Sequence, residues 1–335
     1  MLNVAVIGIG WWGKVIVQTI RSKSRRLHIV RCVEPNVDAV KGFCAEQGVP
    51  VSADYEDALR DPAVQAVILT IPHSLHESFI IRAAQAGKHV FCEKPLTLSL
   101  ETSRRAVAAV KQAGVQLGIG HERRFEPPIL ELRRIVASGA LGTLLQIEAN
   151  FSQDLFIGLP ADNWRLNAKD APGGPLTATG IHLVDLSCSI FGPAETVVAH
   201  NRARSGALPN GDSLSALVSF RNGATASITA MLATPFFSRF CVFGTTGWVE
   251  VRDKSHVQSP TGWWLTKSIG KSAPETVDHP VAAPVLTNLE AFADAIAGGA
   301  HYPVPHTEML NTVALLEAIV RSTVASGAPT AVEAA

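Results

Sequence analysis

Three short stretches carry side chains whose types and spacing could do chemistry. In GGPLTATGIHLVDL (173–186) a glycine pair and a proline open a helix-like segment, with His182 one turn inside and Asp185 three residues later. A neutral imidazole accepts a proton near neutral pH, so His182 is either a general base at a helix start or a histidine packed in a core. In HVFCEKPL (89–96) a strand-like run ends at Glu93-Lys94-Pro95. A cation at a strand's carboxyl end can stabilise a developing oxyanion; the plainer reading is a surface lysine before a proline turn. In GIGWWG (8–13) three glycines lie between a strand-like and a helix-like run.

The glycine stretch has the clearest physical logic. Gly8 permits a tight turn, Gly10 lets backbone approach a pyrophosphate, and Gly13 lets helix and strand pack closely. The helix start adds N–H groups and a positive dipole end. Ile9, Trp11 and Trp12 complete the turn. Glu34 ends the second strand, 21 residues past Gly13, where a carboxylate holds a ribose 2′-hydroxyl and repels a 2′-phosphate. NAD is therefore expected over NADP, with Arg31 the one nearby cation. Thr70 and Ile71 close the strand-like run AVQAVILTI, Pro72 and His76 come after it, and all four are expected beside the cofactor crevice, as are Glu93 and Lys94. HSLHE (His73, His76, Glu77) matches neither HExxH nor HxxEH and has no evident third ligand, so no metal is expected.

These residues need a frame. LNVAVIG, HIVRCVE, AVQAVILTI, HVFCE and VQLGIG read as strands, separated by helix-like KVIVQTIRS, VDAVKGFCAEQ, LHESFIIRAAQAG and SLETSRRAVAAVKQAG. Such alternation predicts a parallel sheet covered on both faces. After HERRFEPP the rhythm changes to ILELRRIVASG, then LLQIEANFS, ETVVAHNRA, LSALVSF, ATASITAML and SRFCVFG, with Asn222-Gly223 as a hairpin turn. The expected fold is an α/β Rossmann domain (1–120), followed by an α+β domain with an open, mostly antiparallel sheet (121–335).

Composition narrows the partners. The 335 residues are 47% apolar and 17% charged, with 29 basic and 29 acidic side chains. That neutrality argues against nucleic acid or an anionic membrane. Five scattered cysteines without a CxxC pair fit reduced thiols in the cytoplasm. The start MLNVAVIGIG reads as a strand into a turn, and no apolar run reaches the roughly 20 residues of a membrane span.

At AGKHVFCEKPL the chain comes to resemble the Gfo/Idh/MocA oxidoreductases, NAD(P)-dependent dehydrogenases of sugars, cyclitols and related cyclic alcohols. The resemblance extends through His76, RRFEP (Arg123, Arg124), NWR (Trp164, Arg165), the GIHLVD segment, GTTGWVEV and the closing AFADAIAGG…SGAPTAV. It implies that Lys94 lies by the nicotinamide and the substrate hydroxyl. It also implies that His182 acts in proton transfer, and that Arg124, Trp164, Arg165, Thr179, His182 and Asp185 line the substrate site, in a cleft between domains. A polyhydroxylated or cyclic small molecule is the expected substrate, and a homodimer or homotetramer the expected assembly. The family's aspartate one turn before the histidine is replaced by Ala178. Four readings follow: Lys94 and His182 suffice, Asp185 orients His182, a substrate carboxylate fills the gap, or the protein is a non-catalytic dinucleotide sensor. The retained Lys94, His182, Trp164 and Arg165 favour an enzyme.

Overall fold

Short runs rich in Val and Ile become the strands of the first sheet, and most lead directly into an amphipathic helix. The computed structural model describes residues 1–256 and 259–335. The first elements are β1 (Leu2–Ile7), α1 (Trp11–Lys23), β2 (Leu27–Val33), α2 (Lys41–Glu46), β3 (Val51–Ser52) and α3 (Tyr55–Arg60). They continue with β4 (Ala66–Leu69), α4 (His76–Gln85), β5 (His89–Cys92), α5 (Leu100–Ala113) and β6 (Leu117–Ile119). All six strands are parallel, in the order β3-β2-β1-β4-β5-β6. β4 is buried along its whole length, as a strand covered on both faces must be. Strand order reverses between β1 and β4, and such a switch point opens a crevice at the carboxyl ends.

Local chemistry sets the helix limits. Ser99 caps α5 by accepting from the Thr102 N–H at 3.3 Å, and Gly114 ends it at φ +66; such a cap stabilises by about 1 kcal/mol. VDAVKGFCAEQ, expected as one helix, divides into a 3₁₀ turn at Val37–Ala39 and the short α2. Val37, Val40 and Gly42 are weak helix formers, and Asn36 caps the turn through Ala39.

The second sheet is drawn from later sequence. α6 (Pro127–Ala137) and β7 (Leu144–Ser152) come first, then α7 (Ile181–Phe191), β8 (Ala194–Arg202), β9 (Ser213–Phe220) and β10 (Thr225–Met231). β11 (Phe237–Gly244), β12 (Gly247–Asp253), β13 (Trp263–Ile269) and β14 (Glu275–His279) follow. The chain closes with α8 (Pro284–Ile296), α9 (His306–Val324) and β15 (Thr330–Ala331). The strand order is β14-β13-β12-β11-β7-β10-β9-β8-β15, antiparallel throughout except between β7 and β10. Gly223, at φ +89, makes the β9–β10 hairpin turn. Leu214, Ala216 and Val218 on β9, and Ala226, Ile228 and Ala230 on β10, form one buried face; α7 packs on β7 and β10, and α6 on β12 and β13.

Two compact units result: Met1–Glu122 with Pro284–His306, and Arg123–Ala283 with Thr307–Ala335. A single boundary at residue 120 does not foresee the return of 284–306 to the first unit. The cause is long-range bonding. Asn288 Nδ2 donates to the Ile119 carbonyl at 2.8 Å, Tyr302 Oη accepts the Ile119 N–H at 3.1 Å, and Phe292 meets Phe91 edge-on. The segment thus closes the β6 edge of the parallel sheet.

Burial holds the imidazoles of His76, His89, His256 and His306 below the usual 6.5, with Lys111 adding to the effect at His306. The unfolded chain therefore binds these protons before the folded one does as pH falls. Their stabilising contribution is complete above about pH 6.5 and is lost as pH drops toward the lowered values. Scanning calorimetry is expected to show Tm falling as pH drops below about 6.5; a Tm that rises on that side would contradict it.

Candidate active site

In the first unit the glycine turn is built by close approach. Gly8 has φ +89, and a Cβ there would lie 2.9 Å from the Thr70 carbonyl oxygen. A Cβ on Gly13 would lie 2.0 Å from the Gly8 oxygen, so α1 can lean on β1 only with glycine there. A Cβ on Gly10 meets nothing within 4 Å, leaving open space over the turn. Gly10 caps α1 without a side-chain hydrogen bond. A backbone-lined start with open space above it fits a pyrophosphate. Thr70 Oγ1 donates to the Gly8 carbonyl at 2.6 Å and ties the turn to the end of β4. Trp11, about half exposed, and Trp12 form a tilted ring pair 5.3 Å apart on the same turn.

Glu34 reaches back across this turn. Its carboxylate accepts from the Ile9 N–H at 2.9 Å and from the Asn36 N–H at 3.2 Å. Arg31, the cation that the sequence offers for a 2′-phosphate, pairs with Asp61 at 3.1 Å.

Glu93-Lys94-Pro95 follows β5 at the carboxyl edge of the same sheet. The Glu93 N–H donates to the Leu69 carbonyl at 2.9 Å, and the buried Glu93 carboxylate accepts from the Lys94 N–H at 3.3 Å. A Cβ on Gly120 would collide with that carboxylate. Lys94 is half-buried and joined to Pro95 by a cis peptide. His76 is fully buried, with Nδ1 2.8 Å from the Pro95 carbonyl and Nε2 3.1 Å from the Ile71 carbonyl. Its ring meets that of His73 edge-on at 5.6 Å. Among the described residues no group of three His, Cys, Asp or Glu side chains could hold a metal ion.

In the second unit the histidine segment starts on Gly173 and Gly174, both at positive φ. A Cβ on Gly174 would lie 2.4 Å from the Gly211 oxygen. Leu176–Gly180 then forms a single π-helical turn before α7, where sequence periodicity predicts plain helix. Such turns widen a helix locally and recur at functional sites. Thr179 Oγ1 donates to the Phe151 carbonyl at 2.8 Å, so this residue anchors the turn to β7. His182 is the second residue of α7, 5% exposed, with its ring 6.1 Å from that of Phe151. Ala178 is half-buried in the π turn, one turn earlier.

Asp185 and Arg124 are brought together. Arg124 Nε and Nη2 donate to the two Asp185 oxygens at 2.6 Å each, Arg124 Nη1 pairs with Glu308, and Thr312 Oγ1 reaches Asp185 at 3.2 Å. Burial alone would lower the Arg124 pKa, but the Asp185 and Glu308 carboxylates outweigh it and raise it. Both residues thus fasten α7 through a buried ion pair. Trp164 and Arg165 lie on a 3₁₀ turn with the guanidinium 4.3 Å from the indole centroid. Asn210, which the sequence reading does not single out, donates to the carbonyls of Arg165 at 2.8 Å and Ala171 at 2.9 Å. Thr97 is likewise missed: its hydroxyl lies 2.6 Å from Ser103 Oγ and ties the lysine loop to α5. Neither residue has a sequence signal beyond a polar side chain near a turn.

Residues 2–121 match the family described as oxidoreductases with an NAD-binding Rossmann fold, and residues 129–250 match the GFO/IDH/MocA C-terminal domain. The scyllo-inositol 2-dehydrogenase (NAD(+)) of Bacillus subtilis is 30% identical over 260 residues, covering 75% of this chain and 74% of that protein. The chain belongs to the Gfo/Idh/MocA oxidoreductase family. It is similar also to D-xylose 1-dehydrogenase (NADP(+)) 2 of Haloferax volcanii, 29% identical over 83% of this chain and 84% of that one. The aldose-aldose oxidoreductase of Caulobacter crescentus, solved with glycerol, superposes with a TM-score of 0.86 at 25% identity, covering 98% and 99% of the two chains. Membership makes this protein an oxidoreductase with an NAD(P)-binding Rossmann domain. Within the described residues no helix is long and apolar enough to cross a membrane.

Proposed function

We propose that the protein oxidises a secondary alcohol of a sugar, cyclitol or related cyclic diol with NAD⁺, or reduces the matching ketone. The observation that carries this reading is Lys94 on a tightly fastened loop at the carboxyl edge of a dinucleotide-type sheet. Gly8, Ile9, Gly10, Trp11, Trp12 and Gly13 would hold the pyrophosphate, with Thr70, Ile71 and Pro72 beside it and Glu34 at the adenosine ribose. When bound, the dinucleotide accepts or returns a hydride at C4 of its nicotinamide. Lys94 then stabilises the alkoxide as charge develops on the substrate oxygen. His182 takes the hydroxyl proton as base in oxidation and returns it in reduction. Trp164 and Arg165 shape the substrate's surroundings, and the arginine suits an acidic group. The names of the inositol and xylose dehydrogenase relatives support the substrate class. A homodimer or homotetramer is the assembly that the family resemblance implies.

The test is a panel of inositols, aldoses, sugar acids and cyclic diols assayed with NAD⁺ and with NADP⁺. Turnover of at least one member, faster with NAD⁺, is expected; silence across the panel with both cofactors would overturn the reading. Glu34→Ala is expected to reduce the NAD-over-NADP preference in kcat/KM by about 10-fold or more, since it removes a charge-assisted contact and the repulsion of a phosphate. An unchanged ratio would mean that Glu34 does not read the ribose.

A further inference from the structure

The lysine loop is fastened at three places, and one of them has its own chemistry. Glu93 is tied by its N–H to β4, and Thr97 by its hydroxyl to the start of α5. Between them the Pro95 carbonyl, on the residue directly after Lys94, faces His76 Nδ1 at 2.8 Å. His76 belongs to α4, and its other nitrogen faces the Ile71 carbonyl at 3.1 Å, with the backbone of Leu96 also in reach. The ring is 0% exposed. It therefore bridges two loops, one after β4 and one after β5, at the sheet edge where ligands bind.

An aliphatic residue would fill the same space but leave the Pro95 and Ile71 carbonyls buried without a donor, which costs free energy. A neutral imidazole can donate to only one of them. An imidazolium could donate to both, but burial and the nearby Lys94 ammonium oppose that form. The clamp takes the tautomer with the proton on Nδ1, facing the closer Pro95 carbonyl. That carbonyl belongs to the Pro95–Leu96 peptide; because the pyrrolidine ring locks the φ of Pro95, holding it also restricts the Lys94–Pro95 peptide, and with it the direction from which the lysine side chain leaves the backbone.

We propose that His76 is a positioning residue for Lys94: it acts by clamping the Pro95 carbonyl and does not touch the dinucleotide. This rests on the catalytic reading of Lys94. The amides of asparagine and glutamine separate the two halves of the clamp. Asparagine places its Nδ2 near the imidazole Nδ1 and can still serve Pro95, whereas glutamine reaches toward the Nε2 position and Ile71.

The test compares His76→Ala, His76→Gln and His76→Asn in the full-length protein, each checked for folding by circular dichroism. With the best alcohol of the panel, Ala and Gln are expected to lower kcat by about 10–100-fold, because a small misplacement of a catalytic group is that costly. KM and the NAD⁺ dissociation constant are expected to stay within about 3-fold, and His76→Asn to recover kcat to within about 5-fold of the parent. A second readout needs no substrate. Acetic anhydride labelling of Lys94, followed by mass spectrometry and scaled to the other lysines, is expected to change by about 3-fold or more in Ala and Gln but not in Asn, as local order is lost. Parental kcat and labelling in His76→Ala and His76→Gln, or an Asn variant as impaired as Gln, would overturn the proposal. If Ala fails to fold, the Gln and Asn pair still decides. Lys94→Ala is the control: if it keeps turnover while the labelling pattern holds, the catalytic reading of Lys94 fails and the clamp stands.

Discussion

Lys94→Ala is expected to lower kcat by roughly 10²–10³-fold, the usual cost of removing a cation or donor aimed at developing negative charge. The dinucleotide dissociation constant should change little, because the glycine turn, Thr70 and Glu34 form a separate set of contacts. The loop geometry is the reason to expect a loss this large. Glu93, Pro95 and Thr97 are bonded to β4, α4 and α5 in turn, so the lysine starts from a fixed backbone and loses little freedom in reaching its working position. Lys94→Arg keeps the charge but not the compact ammonium, and is expected to recover only part of the activity. Steady-state NADH absorbance with saturating NAD⁺ reads both variants. A Lys94→Ala enzyme with near-parental kcat would remove the lysine from the chemistry.

His182→Ala is expected to lower kcat by roughly 10²–10⁴-fold with NAD⁺ affinity nearly intact, as loss of a general base does. The limb of the kcat/KM profile that belongs to the imidazole should vanish with it. Asp185→Asn is the informative contrast. Its carboxylate holds the Arg124 fork, so the substitution leaves a buried guanidinium short of its main partner. It is expected to cost about 3 kcal/mol in urea denaturation and less in kcat than His182→Ala. A His182→Ala enzyme with near-parental kcat and an unchanged profile would return His182 to the role of a core histidine.

Much of the first sheet is legible in the sequence because its signal is local. β1, β2, β4, β5 and β6 are short apolar runs bounded by turn residues, and Gly8 and Gly13 announce a close strand–helix contact by the absence of a side chain. β3, only two residues long, offers no period to read. The membership of 284–306 in the first unit is set by Asn288 and Tyr302 bonding Ile119, a partner about half the chain away, and no local pattern encodes that.

The histidine segment shows the same limit from another side. GGP reads as an opener, and Gly174 does meet the Gly211 backbone, but the π turn over Leu176–Gly180 has a period that apolar spacing does not reveal. Asp185, three residues after His182, suggests an imidazole partner when only the helix is considered. In the fold Arg124, 61 positions earlier in sequence, takes both of its oxygens. His76 is similar: its place before the lysine motif points to the cofactor, while its two carbonyl contacts become visible only once α4 and the lysine loop are packed together.

The most direct test follows the transferred hydrogen. The protein is incubated with NAD⁺ and a panel alcohol deuterated at its carbinol carbon, and the NADH formed is analysed by mass spectrometry. One deuterium at C4 of the nicotinamide ring is expected with the parent protein, with none detected at the same time point for Lys94→Ala. NAD⁺ that binds, shown by quenching of tryptophan fluorescence, yet gains no deuterium from any member of the panel would contradict hydride transfer and leave a dinucleotide sensor in its place.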